Sequence, residues 1–168
     1  MVNCLDCKRP KIDYDWCQNC NSKKFQQDFD KWNSGNKYID EFIQKAQLKA
    51  GNHHEVIEWI PYNRLRNIKY LTKGGFSTIY KAIWLDGCIG YWDNISKTWY
   101  RQSSYLDENT YEKVIPLNNA VKGYHVILKS LNNSSNINDD FLNEVSYFLR
   151  ICFNINIYSI IIHILFNC

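Results

Sequence analysis

Four cysteines fall within the first twenty residues as two identical spacings, Cys4-Leu5-Asp6-Cys7 and Cys17-Gln18-Asn19-Cys20. Two residues between thiols let a tight turn aim both sulfurs at one ion, and two such turns joined by a short loop supply the ligands of a tetrahedral site. A lone Cys-x-x-Cys says little. The doubled motif reads as a Cys4 zinc ribbon or knuckle, with Cys4, Cys7, Cys17 and Cys20 holding a structural Zn2+. Two redox pairs or four unrelated cysteines are the competing readings, and neither accounts for the doubling. Met1 to Asp6 has no basic start followed by an apolar stretch, so the expectation is a cytoplasmic chain with reduced thiols, and the odd total of 7 Cys agrees. So small a module has almost no core of its own. It is expected to fold around its metal, with Trp16 packed over the cluster. Cys88, Cys152 and Cys168 are isolated and read as buried or free thiols.

The remaining residues have the material for a core. At 45% hydrophobic and 15% aromatic over 168 residues, the chain is not globally disordered. Its 20 Lys+Arg and 17 Asp+Glu are scattered and nearly balanced, so no nucleic-acid or membrane partner is expected. Phe25, Phe29 and Trp32 recur at helical spacing and predict a helix from Lys23 to Trp32. After the breaker Asn33-Ser34-Gly35-Asn36, a second helix is predicted from Asn36 to Ala50, with Ile39, Phe42, Ile43 and Ala46 on one stripe. Gly51 to Glu55 reads as a linker, and its adjacent His53 and His54 read as solvated rather than as ligands. Composition then shifts to β-branched and aromatic residues. Strands are predicted at Leu65–Lys73, Thr78–Leu85, Cys88–Asp93, Thr98–Arg101 and Tyr124–Leu131, followed by a helix from Ile137 to about Ile151. The expected fold class is α+β: residues 1–22 the cysteine module, 23–56 a helical connector, 57–151 an antiparallel sheet with one helix, and 152–168 an apolar tail.

Three features of the sheet region point to phosphate chemistry. Leu71-Thr72-Lys73-Gly74-Gly75-Phe76-Ser77-Thr78-Ile79 puts two glycines in a hairpin, where the backbone N–H groups can approach phosphate oxygens with no Cβ in the way. Val126-Ile127-Leu128-Lys129 is an apolar strand ending in a lysine. Glu144 follows fifteen positions later, on the predicted helix face shared with Phe141, Val145 and Phe148. A strand lysine paired with a helix glutamate can contact two phosphates. A Gly-Gly hairpin alone is common and weak evidence; the order of the three elements is what raises its weight.

On these motifs, residues from about Leu65 to Leu149 resemble the N-terminal lobe of a eukaryotic protein kinase. The wider arrangement resembles a group of fungal kinase-like proteins: a doubled Cys-x-x-Cys, then Ser-Gly-Asn, Glu-Trp-Ile-Pro-Tyr and Gly-Gly-Phe. The resemblance implies ATP as cofactor, with Lys129 positioning the α and β phosphates and Glu144 holding Lys129. It implies that Leu71 and Ile79 cover the adenine, and that Thr72, Gly74, Gly75, Phe76 and Ser77 form the loop over the phosphates. Thr72 and Ser77 stand where the family has glycine. Ile127 stands where alanine usually leaves room for the nucleotide.

The larger departure is that no His-Arg-Asp, Asp-Phe-Gly or Ala-Pro-Glu occurs, so the lobe carrying the general base and magnesium ligands is expected to be absent. The Ile- and Asn-rich stretch after Arg150 is too interrupted for a membrane span and reads as a truncated or misread frame. The insert from Trp84 to His125 reads as a hairpin packing its own aromatics on the lobe. Two functions result: a kinase-derived, ATP-binding but catalytically incomplete lobe, and a non-enzymatic zinc adaptor or pseudokinase scaffold with a protein partner.

Overall fold

Helical spacing near the N-terminus and two-residue alternation after it produce the elements seen in a computed structural model of the chain, which describes residues 3–11, 16–74, 77–115, 120–131 and 160–161. In chain order these are α1 (Gln18–Gln26), α2 (Lys37–Lys49), β1 (Leu65–Lys73), β2 (Ser77–Trp84), β3 (Cys88–Asp93), β4 (Thr98–Gln102), β5 (Ser104–Asp107), β6 (Ala120–Leu131) and β7 (Ile160–Ile161). The chain divides into two units. The first comprises residues 1–59 and 89–101, the second residues 60–88 and 102–168. The fold is α+β, as expected. The predicted helix from Ile137 to Ile151 lies outside the described residues.

In the first unit, α2 matches its sequence signals. The Asn36 side-chain oxygen accepts from the N–H groups of Tyr38 and Ile39, and Ile39, Ile43 and Gln47 are buried at helical spacing. Helix α1 begins at Gln18 rather than Lys23 and ends at Gln26 rather than Trp32. The second cysteine turn runs straight into it: the N–H groups of Cys20 and Asn21 both reach the Cys17 carbonyl, so the turn is already the first helical turn. Polar Gln18, Asn19 and Asn21 carry no apolar period there, which is why spacing alone misplaced the start.

The core of this unit is aromatic. Trp16, Phe25, Ala50 and Ile89 are buried together, with Phe29, Val56 and Trp99 packed against them. Trp16 is 1% exposed and donates its indole N–H to the Ala50 carbonyl at 2.9 Å, which satisfies its one polar atom. The Trp99 ring stacks on Phe25 at 4.5 Å and on Trp16 at 5.8 Å. The β3–β4 hairpin therefore contributes its Trp99 to the core beside the cysteine module, where sequence reading had it packing on the sheet.

In the second unit the strands run in the order β1-β2-β6-β5 with antiparallel pairing, and β7 pairs in parallel with Ile127 and Leu128 of β6. Alternation along β2 and β6 sends Ala82, Trp84, Val126 and Leu128 to one face, where they are buried with Ile60 and Leu65. On the opposite face Ile83 joins Leu106 and Tyr111 in a smaller cluster. Strand β6 passes from pairing with β2 to pairing with β5 between Tyr124 and Gly123. A Cβ on Gly123 would lie 2.5 Å from Ile83 Cγ2 and 2.8 Å from the Trp84 carbonyl oxygen, so only glycine lets the backbones approach this closely. Gly87 has φ +72, and a Cβ there would meet the Gln102 carbonyl oxygen at 2.0 Å.

His125 lies on the same face as Ile83, its ring 5.2 Å from that of Tyr111, and its Nε2 is buried with no hydrogen-bond partner among the described residues. Burial, and secondarily the nearby Lys81 ammonium, pull its pKa below the ordinary 6.5. The unfolded chain therefore takes up a proton near pH 6.5 that the folded chain refuses, and stability is lost as pH falls through that value. Urea unfolding should shift to lower midpoints between pH 7.5 and 5.5, and less so in His125→Phe. Equal slopes for the two proteins would show that His125 is not the group responsible.

Candidate functional site

The first cysteine turn is closed by a bond from the Lys8 N–H to the Cys4 carbonyl, and the Cys4 N–H reaches the Arg9 carbonyl. The second turn is the start of α1. Arg9 joins the two, donating to the Asn19 side-chain oxygen at 2.8 Å. These local bonds bring all four sulfurs within 4.8 Å of one another, with Cys4 Sγ to Cys20 Sγ at 3.7 Å and Cys7 Sγ to Cys17 Sγ at 3.6 Å. A tetrahedron with metal–sulfur bonds of about 2.3 Å has edges of about 3.8 Å. Both of these pairs match that edge, so the four cysteines singled out by their spacing form a group that could hold a metal ion. It is the one group of three or more His, Cys, Asp or Glu ligands placed this way among the described residues.

The surroundings favour the ionised form of two of the four thiols and oppose it in the other two. The backbone N–H of Cys7, and to a lesser degree that of Asp6, hydrogen-bonds the Cys4 sulfur and lowers its pKa; the Arg9 N–H acts likewise on Cys7, whose pKa falls to about 6. Burial pushes the other two thiols up. Cys17 recovers part of that through the Cys20 N–H, whereas for Cys20 the neighbouring sulfurs add to the rise. Four sulfurs this close cannot all ionise without a cation between them, because like charges a few ångströms apart oppose each other. The His53 and His54 rings lie against each other with centroids 3.7 Å apart and their planes tilted by 43°.

The residues assigned by the kinase resemblance lie on the second unit. Ile79 of β2 stands directly opposite Lys129 of β6, and Lys81 opposite Ile127. Alternation puts Ile79, Ile127 and Lys129 on one face, away from the buried Ala82, Val126 and Leu128, and all three are half-buried. Thr72 pairs with Ile79 and Ser77 with Leu131; Leu71 falls at a register shift in β1 and is 45% exposed. The Gly74 N–H bonds to the Ser77 carbonyl at 2.8 Å and closes the turn. Gly75, Phe76 and Glu144 lie outside the described residues.

Spacing found the four cysteines but missed the residues that hold the module in place. Glu58 accepts the Ile89 N–H at 3.0 Å and the Arg101 guanidinium at 2.6 Å, and Trp99 completes the aromatic stack. These contacts join residues more than thirty positions apart, beyond the reach of any local pattern. No helix among the described residues is long and apolar enough to cross a membrane.

Three sulfurs hold an ion more weakly than four, which makes single substitutions the test of this cluster. Cys7→Ser and Cys20→Ser should lose most of the bound metal after gel filtration, whereas Cys88→Ser should keep it, as read by metal content per chain. Full retention in both ligand variants would show that the cluster is not the site. Neither a protein-family model, a curated protein nor a solved structure matches the chain.

Proposed function

We propose that the chain is a zinc-stabilised, protein-kinase-like module whose sheet binds ATP. The observation supporting this reading best is the β2–β6 register. It sets Ile79 opposite Lys129 and puts Ile127 on the same face, next to the turn closed by Gly74. A nucleotide lying along that face would meet apolar Ile79 and Ile127 with its base and the Lys129 ammonium with its phosphates. Half-buried Ile127, larger than the alanine of the family pattern, narrows the space for the base, so weak affinity is expected. The sequence holds neither His-Arg-Asp nor Asp-Phe-Gly, and the proposal is nucleotide binding; phosphoryl transfer is not assigned to these residues.

The ion in the cysteine cluster is proposed to be Zn2+ with a structural role. Four thiolates fill all four positions of a tetrahedral site and leave none for water or substrate. A second reading, a non-enzymatic adaptor, is favoured by Tyr91 and Tyr100, which stack on each other at 4.7 Å on the hairpin while remaining 44% and 48% exposed.

Calorimetric titration with Mg-ATP separates the two readings. Binding should be measurable at high protein concentration and should weaken roughly tenfold or more in Lys129→Ala, since a hydrogen bond to a charged group contributes about 1.5–3 kcal/mol. The exposed Lys122→Ala on the same strand should leave it unchanged. No heat with the zinc-loaded chain would overturn the nucleotide reading and leave the adaptor.

A further inference from the structure

We propose that the metal also acts as a lock on the β3–β4 hairpin, so that residues 89–101 are ordered only while the cysteine cluster is loaded. The inference rests on the metal reading above and extends it to a segment more than sixty residues away in sequence. Its basis is how few supports the hairpin has. A two-stranded hairpin is marginal alone in water, and β3 and β4 form a two-stranded sheet of their own.

What holds the hairpin is the surface presented by the metal module. Trp16 immediately precedes the ligand Cys17, and Phe25 lies on α1, whose first turn contains the ligand Cys20. Fixing those two sulfurs therefore fixes both rings. Trp99 stacks against them at interplanar angles of 27° on Trp16 and 14° on Phe25, and Ile89 of β3 is buried in the same cluster. Lys24, also on α1, sets its ammonium 4.6 Å from the Trp92 ring centroid. Both strands thus rest on α1 and on the residue before it. Beyond these, Glu58 holds the Ile89 N–H and Arg101, Ala50 and Val56 share the cluster with Ile89, and Cys88 packs on the sheet core.

A module of about twenty residues cannot offset its conformational entropy without the ion. When the ion leaves, α1 loses the turn that starts it, the Trp16 and Phe25 surfaces separate, and Trp99 loses its seat. Among the described residues the hairpin then keeps the Glu58 bonds, the share of the cluster that Ile89 has with Ala50 and Val56, and Cys88 at its base, too little to order a two-stranded ribbon. The outward Tyr91–Tyr100 stack requires paired strands, so its geometry becomes metal-dependent too. The sheet of the second unit has its own core of Leu65, Ala82, Trp84, Val126 and Leu128 and should not respond.

Hydrogen exchange by mass spectrometry on the full chain tests this, with zinc content measured on the same samples. Stripping zinc with a chelator, or the Cys17→Ser substitution, should speed exchange in residues 89–101 roughly tenfold or more, together with α1, and leave residues 126–129 of β6 unchanged. Trp99→Ala should speed exchange in the hairpin while one zinc per chain is retained, the result that a general collapse of the module would not give. Unchanged hairpin exchange in protein shown to have lost its zinc overturns the lock. So does equal acceleration of β6, which would mean global unfolding. If the purified chain takes up no zinc, the metal reading fails and the lock with it, and the metal ratio identifies that case independently of exchange.

Discussion

Bringing four sulfurs within 4.8 Å of one another is the arrangement on which the first unit depends. Thiols that close gain little from each other and, once ionised, repel; a cation turns that repulsion into four bonds. Backbone N–H groups are directed at Cys4, Cys7 and Cys17; they favour the thiolate at the first two and offset part of the burial penalty at the third. The helix that carries Phe25 grows from the second turn, and the aromatic core is assembled on that helix. Sulfur cluster, helix start and core follow one another along ten residues, so an ion held there would be a structural element in its own right.

The second unit depends on a different constraint, the strict alternation of β2 and β6. Because side chains switch faces at every residue, a register that buries Ala82, Val126 and Leu128 necessarily brings Ile79, Ile127 and Lys129 out together on the other side. The proposed nucleotide face thus follows from core packing. A one-residue slip would exchange the two sets, and Gly123 opposes one, because only a residue without Cβ fits against Ile83 and Trp84 at that point.

Much of this was legible in the sequence because the signals are local. Cysteine spacing identified the four sulfurs that come together; the Asn36 cap and the Ile39–Ile43 stripe gave α2 within one residue at each end; Leu65–Lys73 and Cys88–Asp93 were bounded as observed. What escaped has a common cause. The start of α1 is set by hydrogen bonds to the Cys17 carbonyl in a polar stretch with no period to read. Strand β5 is only four residues long, and the first part of β6, from Ala120 to Gly123, exists to pair with it. The seat of Trp99 depends on Trp16, eighty-odd positions earlier, and no window along the chain contains both.

That last contact also orders events during synthesis. The four cysteines emerge together within twenty residues and can take up an ion as soon as they clear the ribosome, whereas Trp99 follows about eighty residues later, a delay of roughly 4–16 s at 5–20 residues per second. Through that interval Trp16 and Phe25 stand without the ring that covers them, and the strands β1 and β2 are made in between. The first unit is therefore begun first and finished after part of the second. A nascent chain halted near residue 60 would have its four cysteines in hand yet display an uncovered aromatic surface, the kind of surface chaperones bind.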